Sequence, residues 1–318
     1  MGDGFTLWIY DEETIQKIRE DKNLTFLNKF DELSGEYLEY PKIAEAFGLK
    51  YIISNHQKHG YHLEITGNIH IYKKKKCNYG DLRTPEMLEA FYELVLKYNI
   101  NPFSTKLVSF EFGVNIETEE PNTIIEQFVS YKGKAFTEER FKNDGYYKYF
   151  KTGGNKFKLY NKSVHCKVKD KSILRIELRC GTSRVLRRHN LQTLGDLLNP
   201  NSLISIKSNL INEIKKMIIW SKELNINDAT VKEAKLIEHF KTPQHWVDYQ
   251  KKYPKAALKK RHRIQSLISK YSYHSPNEKI VAMIEEKYNE LKLTETEIEY
   301  YSMKYKIIYE QFHKNHTL

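Results

Sequence analysis

From Lys106 to Glu117 the chain reads KLVSFEFGVNIE, apolar and polar residues in alternation. Successive side chains of a strand point to opposite faces, so Val108, Phe110, Phe112, Val114 and Ile116 share one side and Ser109, Glu111, Gly113 and Asn115 the other. Such a segment needs a sheet whose apolar face is covered, and it leaves a polar face on which chemistry can be assembled.

Three further segments supply strands. Gly60 to Lys73 (GYHLEITGNIHIYK) reads as a long bent strand or a tight hairpin about Gly67. Leu63, Ile65, Ile69 and Ile71 then share one face, and His62, Glu64, Thr66, Asn68 and His70 the other. Lys156 to Tyr160 buries Phe157 and Leu159, and Ser172 to Arg179 buries Leu174, Ile176 and Leu178 while presenting Arg175, Glu177 and Arg179. A helix is expected from Thr84 to about Tyr98, with Thr84 as cap and Pro85 at the first helical position.

Beyond Gly181 the pattern is helical. Leu203, Ile206, Leu210, Ile214, Met217 and Ile218 form an apolar stripe, and Thr242-Pro243 opens another helix. Ser275-Pro276-Asn277-Glu278 reads as a capping box. The expected class is α+β, an antiparallel sheet with flanking helices followed by an all-helical C-terminal region. The expected domains are 1–180 and 181–318.

The 52 Lys and Arg against 41 Asp and Glu leave a formal charge of +11, which attracts a polyanion. Nucleic acid, an anionic membrane surface and an acidic protein all satisfy that arithmetic. Lys73, Lys74, Lys75 and Lys76 extend the second strand into a basic loop. Lys255 to Arg263 places Lys259, Lys260, Arg261 and Arg263 on a short helix within a helix-turn-helix-like span, and both are candidate phosphate contacts. Three scattered cysteines, Cys77, Cys166 and Cys180, make neither a disulfide framework nor a zinc site. With no secretion leader and no apolar run long enough for a bilayer, a cytoplasmic protein without membrane contact is expected.

If the strands pair in one antiparallel sheet, the polar faces gather His62, Glu64, His70, Glu111, Asn115, Arg175 and Glu177. Carboxylates with one imidazole are a ligand set for Mg²⁺ or Mn²⁺, and His70, Glu111 and Glu177 are the candidate ligands. Exposed sheet faces also carry such residues for solubility alone. Gly145 to Lys162, GYYKYFKTGGNKFKLYNK, sets Tyr146, Tyr147 and Tyr149 before a Gly153-Gly154 turn and a strand ending Tyr160-Asn161-Lys162. A tyrosine there can attack a scissile phosphate with help from a metal or a lysine, or three tyrosines can form a stacking platform.

SFEFGVNI (Ser109 to Ile116), YKYFKTGGNKFKLYNK (Tyr147 to Lys162) and ILRIELR (Ile173 to Arg179) resemble strands of the replication-initiation factor family. That group includes staphylococcal plasmid initiators and, more distantly, filamentous-phage gene II proteins. The resemblance implies a metal-dependent tyrosine endonuclease that nicks DNA by transesterification to start rolling-circle replication. Carried across residue by residue, it marks Glu111, Tyr147, Tyr160-Asn161-Lys162 and Glu177, with Tyr147 as nucleophile and Lys162 as its helper. Tyr149, Lys158 and Arg175 are expected to touch nucleic acid. The implied partner is DNA, single-stranded or as a supercoiled origin, with a host helicase and a second copy of the chain as further partners. Where HUH-type nucleases carry two histidines, Asn68-Ile69-His70 offers one imidazole. A non-catalytic nucleic-acid-binding protein on the same scaffold is therefore the alternative.

Overall fold

The computed structural model describes residues 2–75, 79–140, 145–221 and 223–314. β1 (Gly2–Ile9) leads through α1 (Glu12–Arg19) to β2 (Leu27–Asp31), β3 (Glu36–Ala46), β4 (Leu49–His56) and β5 (Gly60–Asn68). Then come α2 (Ile69–Lys74), α3 (Thr84–Tyr98), β6 (Lys106–Glu117) and α4 (Pro121–Gln127). Short strands β7 (Phe128–Tyr131), β8 (Lys134–Ala135) and β9 (Thr137–Arg140) precede β10 (Tyr146–Thr152), β11 (Asn155–Asn161), α5 (Lys162–Cys166) and β12 (Ile173–Cys180). The remainder is α6 (Ser183–Arg187), α7 (Leu194–Leu198), α8 (Leu203–Ile214), β13 (Met217–Ile219) and α9 (Val231–Phe240). Last come α10 (Pro243–Lys252), α11 (Ala257–Tyr271), α12 (Pro276–Leu291) and α13 (Glu295–Lys314).

Ten strands pair in the order β2-β3-β4-β5-β1-β6-β12-β11-β10-β9. Every pairing among them is antiparallel. The N-terminal strand is thus central, between β5 and β6. One face carries Phe5, Leu7, Leu63, Ile65, Phe110, Phe112, Val114, Phe157, Leu159, Ile176 and Leu178, all buried. Residues of α3, α8, α12 and α13 complete this core. Its apolar area is the main stabilising term, at roughly 25 cal/mol for each Å² taken from water.

The helices after Gly181 divide between two cores. Ile206, Leu210, Ile284 and Tyr301 pack with the sheet, whereas Ile237, Phe240, Trp246, Ile264 and Ile268 of α9 to α11 form a second cluster with Val129 and Ile218. Met217 and Ile218, expected in a helical stripe, instead form β13, which pairs with β7.

Four local expectations need correction. The segment from Gly60 to Lys73 is not one strand: β5 ends at Asn68, whose side chain accepts from the Ile71 amide at 3.0 Å and caps α2. His70 and the lysines after it therefore leave the sheet. In β6 it is Leu107 that is buried while Val108 is half-buried, because the register with β1 shifts between Thr6 and Leu7. Alternation from Ser109 to Ile116 holds as expected. Both glycines of the β10–β11 turn have positive φ, as a two-residue hairpin loop requires. Arg83 rather than Thr84 is the N-cap of α3, and the Ser275 side chain makes no cap hydrogen bond to α12.

Candidate catalytic and metal site

The polar face of the sheet is buried at its centre rather than solvated. Antiparallel pairing sets Arg179 opposite Glu111, Glu177 opposite Gly113 and Arg175 opposite Asn115. On the other side of β12, Lys158 lies opposite Glu177 and Tyr160 opposite Arg175. Directly opposed residues share a face, so these side chains converge. Asp3 joins them from β1, through a register irregularity between Gly2 and Phe5.

Asp3, Glu111 and Glu177 each offer a carboxylate oxygen, and the three oxygens lie within 4.8 Å of one another. All three residues are buried. Gly113 makes room for the group: a Cβ there would meet Glu177 Cβ at 2.7 Å and Arg175 Cζ at 3.0 Å.

Two cations hold the carboxylates. Lys158 Nζ donates to Glu111 Oε2 at 3.2 Å and also to Glu177. Arg175 donates through Nε to Glu177 Oε2 at 3.1 Å, through Nη2 to Asp3 Oδ2 at 3.1 Å and through Nη1 to Asn115 Oδ1 at 3.2 Å. Asn115 in turn donates to the Gly80 carbonyl at 2.9 Å, fixing its own orientation. Asn68 donates to Asp3.

Burial and then the neighbouring Glu177 raise the Glu111 carboxyl above its ordinary range. Burial pushes Glu177 the same way, but Lys158 and Arg175 outweigh it and hold that carboxyl below its usual range. Three buried carboxyl groups are the donor type of a hard divalent cation such as Mg²⁺ or Mn²⁺, and here Lys158 and Arg175 share those oxygens. Asp3, Glu111 and Glu177 are the residues that would hold it.

The tyrosine at this centre is Tyr160. Its hydroxyl donates to Glu177 Oε2 at 3.4 Å and accepts from Lys162 Nζ at 3.5 Å. Tyr160 and Lys162 are both buried. Burial, then Glu177, raises the phenol well above its ordinary value, while burial, then Arg175, lowers the Lys162 ammonium.

Tyr147 stands opposite Tyr160 on β10. Its hydroxyl turns outward to Glu139, which also accepts from Tyr149 at 2.7 Å. Lys156 lies over both rings, 5.4 and 4.3 Å from their centroids. Lys162 Nζ meets the hydroxyl of Tyr160, the residue that Tyr147 stands opposite.

His70 is buried on α2 outside the carboxylate trio, and burial lowers its pKa to about 4. Lys158 and Arg175, expected to contact nucleic acid, are engaged by the carboxylates. Lys73 and Lys74 pair with Glu93 and Glu86, Lys75 is exposed, and Lys76 lies outside the described residues. On α11, Lys259 and Arg263 are exposed and Lys260 covers the Phe240 and Tyr249 rings. Arg261 is a correction: it is buried, donating to the Lys216 carbonyl at 3.4 Å, and cannot meet a phosphate.

Asp3 is the residue of this candidate site that sequence reasoning missed. Its signal was slight, one acidic residue between two glycines ahead of an apolar run, and it becomes a site residue only through the central placement of β1.

No helix among the described residues is long and apolar enough to cross a membrane. No protein-family model matches the sequence, and no curated protein matches it, so the likeness to replication-initiation factors rests on the three strings quoted above. Among solved structures, the chain is similar to one described as the rolling circle replication initiator protein from Geobacillus stearothermophilus, with a TM-score of 0.43 and 12% identity over 79% of this chain and 95% of that one.

Proposed function

We propose that the protein nicks DNA by tyrosine transesterification, with Tyr160 as the attacking residue, and so starts rolling-circle replication. The observation that carries this reading is the convergence of Asp3, Glu111 and Glu177 with the Tyr160–Lys162 pair on one sheet face. Three carboxylates beside a phenol and an amine are the parts that phosphodiester transesterification needs: a cation site, a nucleophile and a proton acceptor.

In this scheme the Tyr160 oxygen attacks phosphorus and the bond from phosphorus to the 3′ oxygen breaks. Burial lowers the Lys162 ammonium, which favours the neutral amine that would take the phenol proton and return it to the departing 3′ oxygen. The products are a 5′-phosphotyrosine and a 3′-hydroxyl that primes synthesis. When bound, the divalent cation neutralises charge on the scissile phosphate. Arg175 and Lys158 position the carboxylates. Tyr147 and Lys156, both half-buried, form an adjacent ring-and-cation surface for the strand over the buried Tyr149 ring. DNA is the proposed partner, with a host helicase and a second copy of the chain joining at the origin.

One observation favours a second reading. Lys158 and Arg175 already neutralise the carboxylates, so the cluster can serve as a buried ion-pair network beneath a nucleic-acid-binding face. Incubation with supercoiled plasmid and Mn²⁺ separates the two. Conversion to the open circle, absent with chelator and with Tyr160→Phe, is expected. Binding without any conversion in any metal would leave the second reading.

A further inference from the structure

A second group of side chains lies on the same polar face, away from the carboxylates. Trp8 on β1 stands opposite Glu64 of β5 and Lys106 of β6. Its indole Nε1 donates to Glu64 Oε2 at 2.8 Å, which fixes the ring. The His59 and His62 rings lie 4.9 and 5.0 Å from it, centroid to centroid. Tyr10 continues the row at 5.8 Å from His62, and His56 at 5.3 Å from His59. Lys106 Nζ is 5.3 Å from the Trp8 ring centroid.

Most of these rings reach solvent. Trp220, Trp246 and His62 are buried, whereas Trp8 and His59 are half-buried, His56 is exposed and Tyr10 is 42% exposed. Loss of hydration and then the charges of His56, Lys58, His62 and Lys106 hold the His59 imidazole below the usual histidine range. At neutral pH it is an uncharged flat ring among lysines. Glu64, the neighbouring carboxylate, is held by the indole.

A polar path links the rings to the acidic centre. Ser109 donates to Thr6 at 3.0 Å, Thr6 meets Thr66 at 2.9 Å, and Arg179, exposed and opposite Glu111, donates to Ser109 at 3.4 Å. Thr6 and Ser109 are buried beneath this path, and the exposed Arg179 guanidinium is its phosphate-compatible group. Lys106 and Glu111 are five residues apart on β6, about 17 Å at a strand's rise of roughly 3.4 Å per residue. That is room for at most about five nucleotides at the 3.4 Å spacing of a stacked strand.

We propose that Trp8, Tyr10 and His59, backed by the buried His62 ring and with Lys58 and Lys106, form a stacking subsite for the bases of single-stranded nucleic acid, from which the backbone runs over Arg179 to the carboxylate centre. A duplex hides its base faces, so a platform of rings on an open sheet selects unpaired strands. The subsite rests on the nicking reading only for where the strand leads.

The test is titration of the full chain, in chelator so that no cleavage intervenes, with a fluorescently labelled oligothymidylate, an oligouridylate and a duplex of equal length. Trp8→Leu is expected to weaken single-strand binding by about tenfold, while Trp8→Phe, which keeps a ring, restores most of it. Tryptophan emission of the wild type should fall on binding, because Trp8 is the tryptophan the solvent reaches. Duplex affinity should change by less than twofold. Single-strand affinity unchanged in Trp8→Leu, or lost equally in Trp8→Phe, overturns the subsite. Trp8-dependent binding by a protein that never nicks would instead sink the catalytic reading and keep this one.

Discussion

Lys162 Nζ lies 3.5 Å from the Tyr160 hydroxyl, and both groups are buried beside Glu177. The contact is set by local structure. Tyr160 is in β11, and Asn161 caps α5, its Oδ1 accepting from the Val164 amide at 3.1 Å, so the chain turns at once and brings Lys162 back over the ring. Burial raises the phenol and lowers the ammonium, which favours the neutral forms of both. In this arrangement Nζ donates to the phenol oxygen and the phenol donates to Glu177, so Lys162 can take the phenol proton only once its ammonium has lost its own.

Lys162→Met keeps the length of the side chain and removes the amine. Nicking at neutral pH should fall by about 10²- to 10⁴-fold, the usual worth of a positioned base. The deficit should shrink as pH rises toward the phenol's own range, where solvent can take the proton. Initial rates on supercoiled DNA from pH 7 to 10 measure this, and a pH-independent loss with a lowered melting temperature would point to a structural role instead.

Gly113→Ala tests the packing of the site. The new methyl would meet the Ile176 carbonyl at 2.6 Å and Glu177 Cβ at 2.7 Å, so β6 and β12 must part or the ion pairs must shift. A loss of about 1–3 kcal/mol in unfolding free energy is expected, as for overpacking generally. Urea denaturation reads it, and nicking should fall further than stability does.

The carboxylate trio predicts a metal response. Mn²⁺ at about a hundred times its Kd should add about 2.7 kcal/mol to stability. Asp3→Asn should abolish the gain. Because Lys158 occupies two of the three carboxylates, Lys158→Met should enlarge it. Melting curves with and without Mn²⁺ provide the comparison.

His70 predicts an acid-sensitive fold. Burial depresses its folded-state pKa to about 4, whereas the unfolded chain holds the ordinary value near 6.5. Between those values the unfolded state binds the extra proton. Stability present above pH 6.5 is therefore lost as pH falls toward 4, by on the order of 1–3 kcal/mol. Melting temperature should fall less steeply over that window in His70→Asn than in the wild type.

Much of this architecture was legible from alternation. β6, β11 and β12 lie where the two-residue period put them, and Glu111, Asn115, Arg175 and Glu177 do share a face. The face reads as solvated in sequence because polarity alone does not distinguish an exposed charge from a buried, paired one. Asp3 was not singled out because its place depends on the pairing of β1 with β6, across a large sequence separation, and Tyr160 was marked within Tyr160-Asn161-Lys162 but not as the nucleophile. Tyr147 was favoured by a string, and register sets it between Tyr160 and Glu139, with its hydroxyl donating to Glu139. His70 was misplaced because Ile69-His70-Ile71 alternates like a strand, while the cap at Asn68 starts a helix.

The central claim is the identity of the nucleophile, and the most direct measurement is peptide mapping of the covalent product. The protein is incubated with a single-stranded oligonucleotide and Mn²⁺, digested with protease and nuclease, and the nucleotide-bearing peptide is sequenced by mass spectrometry. The account predicts a phosphodiester on Tyr160 and no adduct in Tyr160→Phe. An adduct on Tyr147 or another tyrosine, undiminished in Tyr160→Phe, would contradict it.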